Sequence, residues 1–414
     1  MRSWPSDGRL AWLREAPWLG RARVLGYCRT ILLVAALAWC GWILAGKGLI
    51  DPMGRPVGPD FVSFWSASKL ALGGEPAAAY NQATHRAVER EAVGGAEIPY
   101  YAWFYPPVFL LIILPLALLP YGWSLFAWLA VTGATYAAVM RNFVRIPGAL
   151  GPILAFPAAL LNAMYGQNGF LSVALLGGGM LLLRGRPVLA GVLLGAMIYK
   201  PHLALLIPVA LLFGAEWLAL ATAAATALLL LAVSFAFFHA ATFAAFLAQS
   251  DTARLALEQG LVSWTKMQSI FAAIRLLGGP IPLAYAAQVL AAAVATALVV
   301  VVWRRPADGD ARAATLAAAT LLVSPFLLDY DLVLLAIPLA WLAREGVEKG
   351  FMSWEKLLLA LAWASPLLLV PFAEATRLQL APLVCAGVLS LVLRRSRFRR
   401  LGLYHSIDVA TKPG

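Results

Sequence analysis

The stretch TILLVAALAWCGWILAGKGL, Thr30 to Leu49, carries a single charge in twenty residues. About 20 apolar residues are what an α-helix needs to cross the hydrocarbon core of a bilayer, so this stretch reads as a membrane span. Nearly thirty arginine-rich residues precede it and no A-x-A-like site follows it. It is therefore read as an uncleaved anchor, not a signal peptide.

The same pattern recurs downstream, with apolar runs at 108–119, 123–140, 152–165, 170–183, 188–199, 203–213, 217–238, 281–303, 311–326, 332–342, 357–370 and 378–393. The 414 residues are 62% hydrophobic and only 13% charged, with a mean hydropathy of +0.80. Soluble domains carry about 25% charged residues. The expected fold class is all-α, a polytopic membrane protein of about 12 transmembrane helices. Helices are preferred to a barrel because each run can satisfy its own backbone hydrogen bonds.

The net charge of +12 does not imply nucleic acid. Arg2, Arg9, Arg14, Arg21, Arg23 and Arg29 precede the first span, and Arg394, Arg395, Arg397, Arg399 and Arg400 follow the last. That distribution places both termini in the cytoplasm by the positive-inside rule. Trp4, Trp12 and Trp18 among the first arginines suit a segment lying along the interface. With the first crossing the runs number thirteen, which conflicts with termini on one side. Residues 108–119 and 123–140 are accordingly expected to make one net crossing, the short Pro-bounded run being re-entrant or half of a broken helix. Cys28, Cys40 and Cys385 have neither CxxC nor Cys/His metal spacing and read as small core hydrophobes.

Three regions follow: a basic N-terminal segment 1–29, a membrane domain 30–393 and a basic cytoplasmic tail 394–414. Within the membrane domain, 51–105 and 239–280 are expected as the two large extracytoplasmic loops. The first contains PDFVSFWSASKLALGGEPAAAY, Pro59 to Tyr80. Its apolar residues have helical spacing from Phe61 to Leu72 and stop at Gly73-Gly74, while Gln82 to Val93 is more polar. Asp60 stands at the head, either as the helix N-cap or as a base at the mouth of a cavity. Tyr100, Tyr101, Trp103, Phe104 and Tyr105 form an aromatic cluster of the kind that marks the headgroup belt.

The other polar breaks gather on the Asp60 side. Gln167 and Asn168 interrupt apolar sequence, as interhelical glue or as ligands. Lys200 is the only lysine between Lys69 and Lys266. An ionisable residue between apolar helices marks a functional site unless it snorkels to the headgroups, and Pro201 favours a break that aims it inward. Asp331 follows Tyr330 at the start of a span and is a cap or a ligand. His202 and His239 lack the companions of a metal site. Asp308-Gly309-Asp310 resembles a nucleotide-sugar motif but has no soluble domain around it. HExxH, P-loop and GxSxG motifs are absent.

Five blocks carry a family resemblance: DFVSFWSASKLALGGEPAAAYN, YPPVFLLIILPLALLP, YGQNGFLSVALL, LAGVLLGAMIYKPHLALLIP and SPFLLDYDLVLL. In this order and spacing they resemble glycosyltransferase family 87, whose best-known members are polyprenol-phosphate-mannose-dependent mannosyltransferases of the C-type glycosyltransferase fold. The resemblance implies an inverting transfer of a hexose, mannose in those members, from a polyprenyl phosphate to a lipid or glycan acceptor. The reaction would take place on the extracytoplasmic face of a bacterial-type inner membrane. It implies Asp60 as catalytic base and, with the reading above, Lys200, Gln167, Asn168 and His202 around the donor phosphate. Tyr101, Trp103, Tyr105, Trp264, Gln268, Tyr330 and Asp331 would then bind substrate. Expected partners are the lipid-linked sugar, its acceptor and membrane lipids, with no nucleic acid, no cofactor and no metal. One departure stands out. Where family members often read Ser-Pro-His before Tyr-Asp, this chain has Phe326 after Ser324-Pro325. The rival class is a transporter or lipid flippase, which would show paired repeats with matching broken helices; the sequence shows none.

Overall fold

The computed structural model describes residues 6–305 and 308–400, so Arg2, Trp4 and the tail from residue 401 lie outside it. Among the described residues the chain is helical throughout and has no named strand, only three isolated β-bridges. The helices are α1 (Ser6–Glu15), α2 (Arg21–Ala45), α3 (Phe61–Leu72), α4 (Gln82–Ala92), α5 (Pro107–Ile113), α6 (Tyr121–Val144) and α7 (Leu150–Leu154). They continue with α8 (Pro157–Tyr165), α9 (Gly169–Leu182), α10 (Pro187–Ala196), α11 (Pro201–Ala204), α12 (Leu206–Phe213), α13 (Trp217–Gln259) and α14 (Ile270–Leu276). The last six are α15 (Ile281–Trp303), α16 (Gly309–Val323), α17 (Ala336–Lys349), α18 (Glu355–Ala364), α19 (Pro366–Thr376) and α20 (Ala381–Arg400).

Four helices, α2, α6, α13 and α15, are long and apolar enough to cross a membrane, and α18 with α19 make a fifth if that pair, bent by 73°, is one span. This identifies an integral membrane protein, with fewer full-length spans than the dozen expected. Proline is the reason. Pro107, Pro157, Pro187, Pro201 and Pro366 each open a helix at its first turn, where the missing N–H costs nothing but no preceding helix can run through. The run 108–119 becomes α5 followed by a 3₁₀ turn from Leu114 to Leu118, too short to span alone.

The segment of the expected second loop is partly helical. Residues 240–259 are helical, because α13 bends at His239 (φ 61°, ψ 168°) and continues to Gly260, whose φ of 72° ends it. The leg from Trp217 to Phe238 is about 33 Å long, enough to cross the bilayer. The leg beyond the bend begins apolar, from Ala240 to Ala248, and carries Asp251, Arg254 and Glu258 towards its end.

Small residues let the helices close on one another. On α10, Gly191 and Gly195 lie four apart, and a Cβ at either would strike α13 at Thr222 or Ala223, the close backbone approach that small-xxx-small spacing permits. Buried Ala311, Ala313, Ala314, Ala317, Ala318 and Ala319 let α16 pack on α15, α17 and α20.

The first and last described helices meet at one place. Trp354 N donates to Arg14 O (2.8 Å), and Arg395 on α20 forms a buried ion pair with Glu355 and donates to Gly350 O. Asp310 pairs there with Arg344 (2.8 Å) and Asp308 caps α16, so the Asp-x-Asp motif is consumed by packing. Asp60 lies at the other end of α6, since Tyr121 OH donates to Val57 O (2.6 Å) and Gly58 O (3.1 Å).

Candidate active site

Asp60 directly precedes α3, and its side chain makes no capping bond to that helix. The carboxylate is free for other work. Its Oδ2 accepts from Gln167 Nε2 at 2.9 Å, and its backbone N–H donates to Tyr165 O at 3.1 Å. The head of the first loop is thus tied to the break between α8 and α9.

That break is built by Gly166. Its φ of 70° terminates α8 in the left-handed conformation, with Gly166 N on Ala163 O and Gln167 N on Asn162 O. A Cβ at Gly166 would lie 2.5 Å from Phe61 Cβ, so both the turn and the approach of α3 require glycine. Gln167 then faces Asp60 while its Oε1 accepts from Asn168 N (3.0 Å) and Tyr105 OH (3.3 Å). Both Gln167 and Asn168 are buried.

Lys200 occupies the kink between a 3₁₀ turn and α11, at φ −133° and ψ 70°. Its ammonium is buried and donates to Asn168 Oδ1 (2.8 Å) and Asp331 Oδ1 (2.5 Å), 5.1 Å from the centre of the Tyr330 ring. It does not snorkel. Asp331 Oδ2 accepts from Leu328 N at 3.1 Å, so this residue is both the turn cap and the counter-ion of Lys200. Two polar nitrogens nearby, Asn168 Nδ2 and His202 Nε2, are buried without a hydrogen-bond partner.

Lys266 lies in the segment 239–280, between the expected ligands Trp264 and Gln268. It is exposed, its Nζ lies 5.2 Å from the Tyr165 ring centre, and its charge acts on both Asp60 and Asp329. The loop that carries it is pinned by Gln268 N to Leu327 O (2.7 Å) and by Gln268 Nε2 to Thr265 O and Lys266 O. Tyr165 OH donates to Asp329 Oδ2 at 3.3 Å. Sequence reasoning overlooked Tyr165 and Asp329, although Tyr165 immediately precedes Gly166-Gln167-Asn168.

Burial raises the Asp60 carboxyl above its ordinary range; the Gln167 hydrogen bond and the charges of Lys266 and Lys200 pull it down but do not cancel the burial. A carboxylate poised in this way is a stronger base than an exposed one.

The structure separates the expected aromatic and polar ligands. Tyr105 holds Gln167 and Tyr330 lies under Lys200. Trp103 is fully buried and stacks on Phe109 at 5.6 Å between ring centroids, so it packs the wall and offers no open platform for a sugar. Trp264 donates to Leu257 O and lies under Arg275, in a separate small apolar cluster around Met267 and Phe271. Tyr101 is partly exposed, its N–H held by Glu89. Phe326 sits edge-on to Phe104 at 6.4 Å.

Residues 103–325, more than half of the sequence, match glycosyltransferase family 87. The chain belongs to glycosyltransferase family 87. It is therefore a glycosyltransferase of the membrane. Neither a curated protein nor a solved structure matches it. The family match contains Gln167, Asn168, Lys200, His202 and Lys266 but stops short of Asp60 on one side and Asp331 on the other. In this family 87 chain, hydrogen bonds join those outlying carboxylates to the matched segment.

Proposed function

We propose that this family 87 enzyme transfers a hexose, mannose being the first candidate, from a polyprenyl monophosphate to a hydroxyl of a lipid or glycan acceptor, with inversion. The observation that carries this reading is Asp60 bonded to Gln167 at 2.9 Å, with the charges of an exposed lysine, Lys266, and a buried one, Lys200, acting on it. Asp60 Oδ1 takes the acceptor proton. The acceptor oxygen forms its bond to the anomeric carbon as the bond from that carbon to the phosphate oxygen breaks, and the polyprenyl phosphate departs on the opposite face.

The leaving phosphate needs compensating charge. Lys266 suits this better than Lys200, whose ammonium already serves Asp331. Lys200 instead orients Asn168, and the unpaired Asn168 Nδ2 and His202 Nε2 are the groups that a phosphate oxygen would satisfy. A buried unsatisfied donor costs about 1–3 kcal/mol. The arginine-rich ends, gathered at the far end from Asp60, favour cytoplasmic termini and a site facing outward, as in a bacterial inner membrane.

The test is donor choice. Purified protein in liposomes, given a polyprenyl-phosphate hexose or a nucleotide-linked hexose with a crude lipid acceptor fraction, is expected to transfer label only from the former. Transfer from the nucleotide donor alone contradicts the proposal.

A further inference from the structure

Helix α2 stands away from the bundle: only 6% of its apolar window is buried, and its principal packing is against α7. Between it and the bundle lies an open groove of about 780 Å³. Its walls are apolar, among them Leu25 and Cys28 of α2, Met140 of α6, Ala340 of α17 and Trp363 of α18. It lies at the end of α6 remote from Asp60. Along α2 it extends from Arg21 to Ile31, about 15 Å at 1.5 Å per residue, which is half of a hydrocarbon core about 30 Å thick. The groove has the depth of one leaflet.

Its mouth is basic. Lys356 lines it, with Nζ 5.2 Å from the Phe351 ring, and the adjoining Glu355 is spent on Arg395. Arg21 lines it as well, using Nη2 for Pro147 O at 2.8 Å. Trp18, next in the chain to the lining Leu19, has a buried Nε1 with no hydrogen-bond partner.

We propose that this groove holds an anionic phospholipid from the leaflet at the Arg21 end, its acyl chains between α2 and α17–α18 and its phosphate facing Lys356 and Arg21. Basic pockets between membrane helices select anionic headgroups. The one-leaflet depth and the position opposite the Asp60 site assign the groove to a membrane phospholipid, not to the far longer chain of a polyprenyl donor. The proposal requires only that the chain lie in a bilayer.

Native mass spectrometry of the full chain, titrated with dioleoyl phosphatidylglycerol or dioleoyl phosphatidylcholine, tests this without reading sugar transfer. Phosphatidylglycerol is expected to bind at roughly 25-fold lower concentration, with about fivefold contributed by each of the two basic residues. Lys356→Glu should bring it to the phosphatidylcholine level, and the groove-filling Ala360→Trp should remove both adducts, each variant being scored when monodisperse. Equal binding of the two lipids by the unmodified chain, or a preference that survives both substitutions, overturns the proposal. So does one-for-one displacement of phosphatidylglycerol by a polyprenyl phosphate.

Discussion

Two lysines approach Asp60 and they do different things. Lys200 is a buried half of an ion pair, and removing one partner of such a pair costs about 3–5 kcal/mol by stranding the other charge. Loss of activity in Lys200→Ala would therefore report folding as much as chemistry. Lys266 is exposed, and Lys266→Ala should fold. Burial sets the Asp60 carboxyl above its usual range while Lys266 holds it down. A base is lost as pH falls through its pKa, so the acid limb of kcat/KM should lie above the ordinary carboxylate range and move to higher pH in Lys266→Ala. A limb that stays in place removes Lys266 from the site. Gln167 and Lys200 drew attention in the sequence because each interrupts an apolar pattern, and Asp60 because it heads the helix of the first loop. Lys266 was not singled out, because a lysine in a polar loop carries no such contrast. Trp103 is packed against Phe109, which the sequence did not foretell, since an aromatic cluster before Pro106 looks the same whether it is packed or open.

At the scale of elements, α3 and α4 form a platform beneath the Asp60 site, joined by a buried pair. His85 Nε2 lies 3.2 Å from Ser63 O on α3, and His85 Nδ1 lies 3.5 Å from Glu89 Oε1. Both oxygens of Glu89 accept from Tyr101 N at 3.2 Å. Burial lifts the Glu89 carboxyl to about 8 and lowers His85 to about 4. For Glu89 the folded state binds the proton more tightly than the unfolded state, so its stabilisation is complete below about 4.5 and is lost as pH rises through 8. For His85 the neutral form is favoured, so stability falls as pH drops from about 6.5 towards 4. Hydrogen exchange in peptides covering 82–105, corrected for intrinsic rate, should therefore be slowest between about pH 4.5 and 6.5 and accelerate from there to about pH 8. Glu89→Gln should abolish the alkaline acceleration; an unchanged profile assigns it elsewhere. The periodicity at 61–72 foretold α3. The continuation of α13 past His239 was hidden because the bend at that residue leaves no mark in the sequence and the apolar residues beyond it give way to Asp251, Arg254 and Glu258.

For the whole molecule, composition and arginine distribution made the membrane class legible, and the structure adds that α1, α18 and α20 converge at the hinge 350–355. The number of crossings was harder to read, because proline-started helices such as α5, α8 and α11 look like spans in hydropathy but are too short to be complete ones. With the native cysteines replaced, cysteines at Ser353 and Met53 should label from opposite sides of sealed vesicles, Ser353 from the side of the arginine-rich termini. Labelling of both from one side contradicts the arrangement. Fold and family converge on a glycosyltransferase in which an acid from the first loop is brought to a polar break by Gly166. The most direct measurement is single-turnover hexose transfer from a polyprenyl-phosphate donor by purified protein carrying Asp60→Asn. The side chain keeps its size and loses its basicity, so transfer should fall by about 10²–10⁴ while donor binding is retained. Transfer at the unmodified rate would show that Asp60 is not the base.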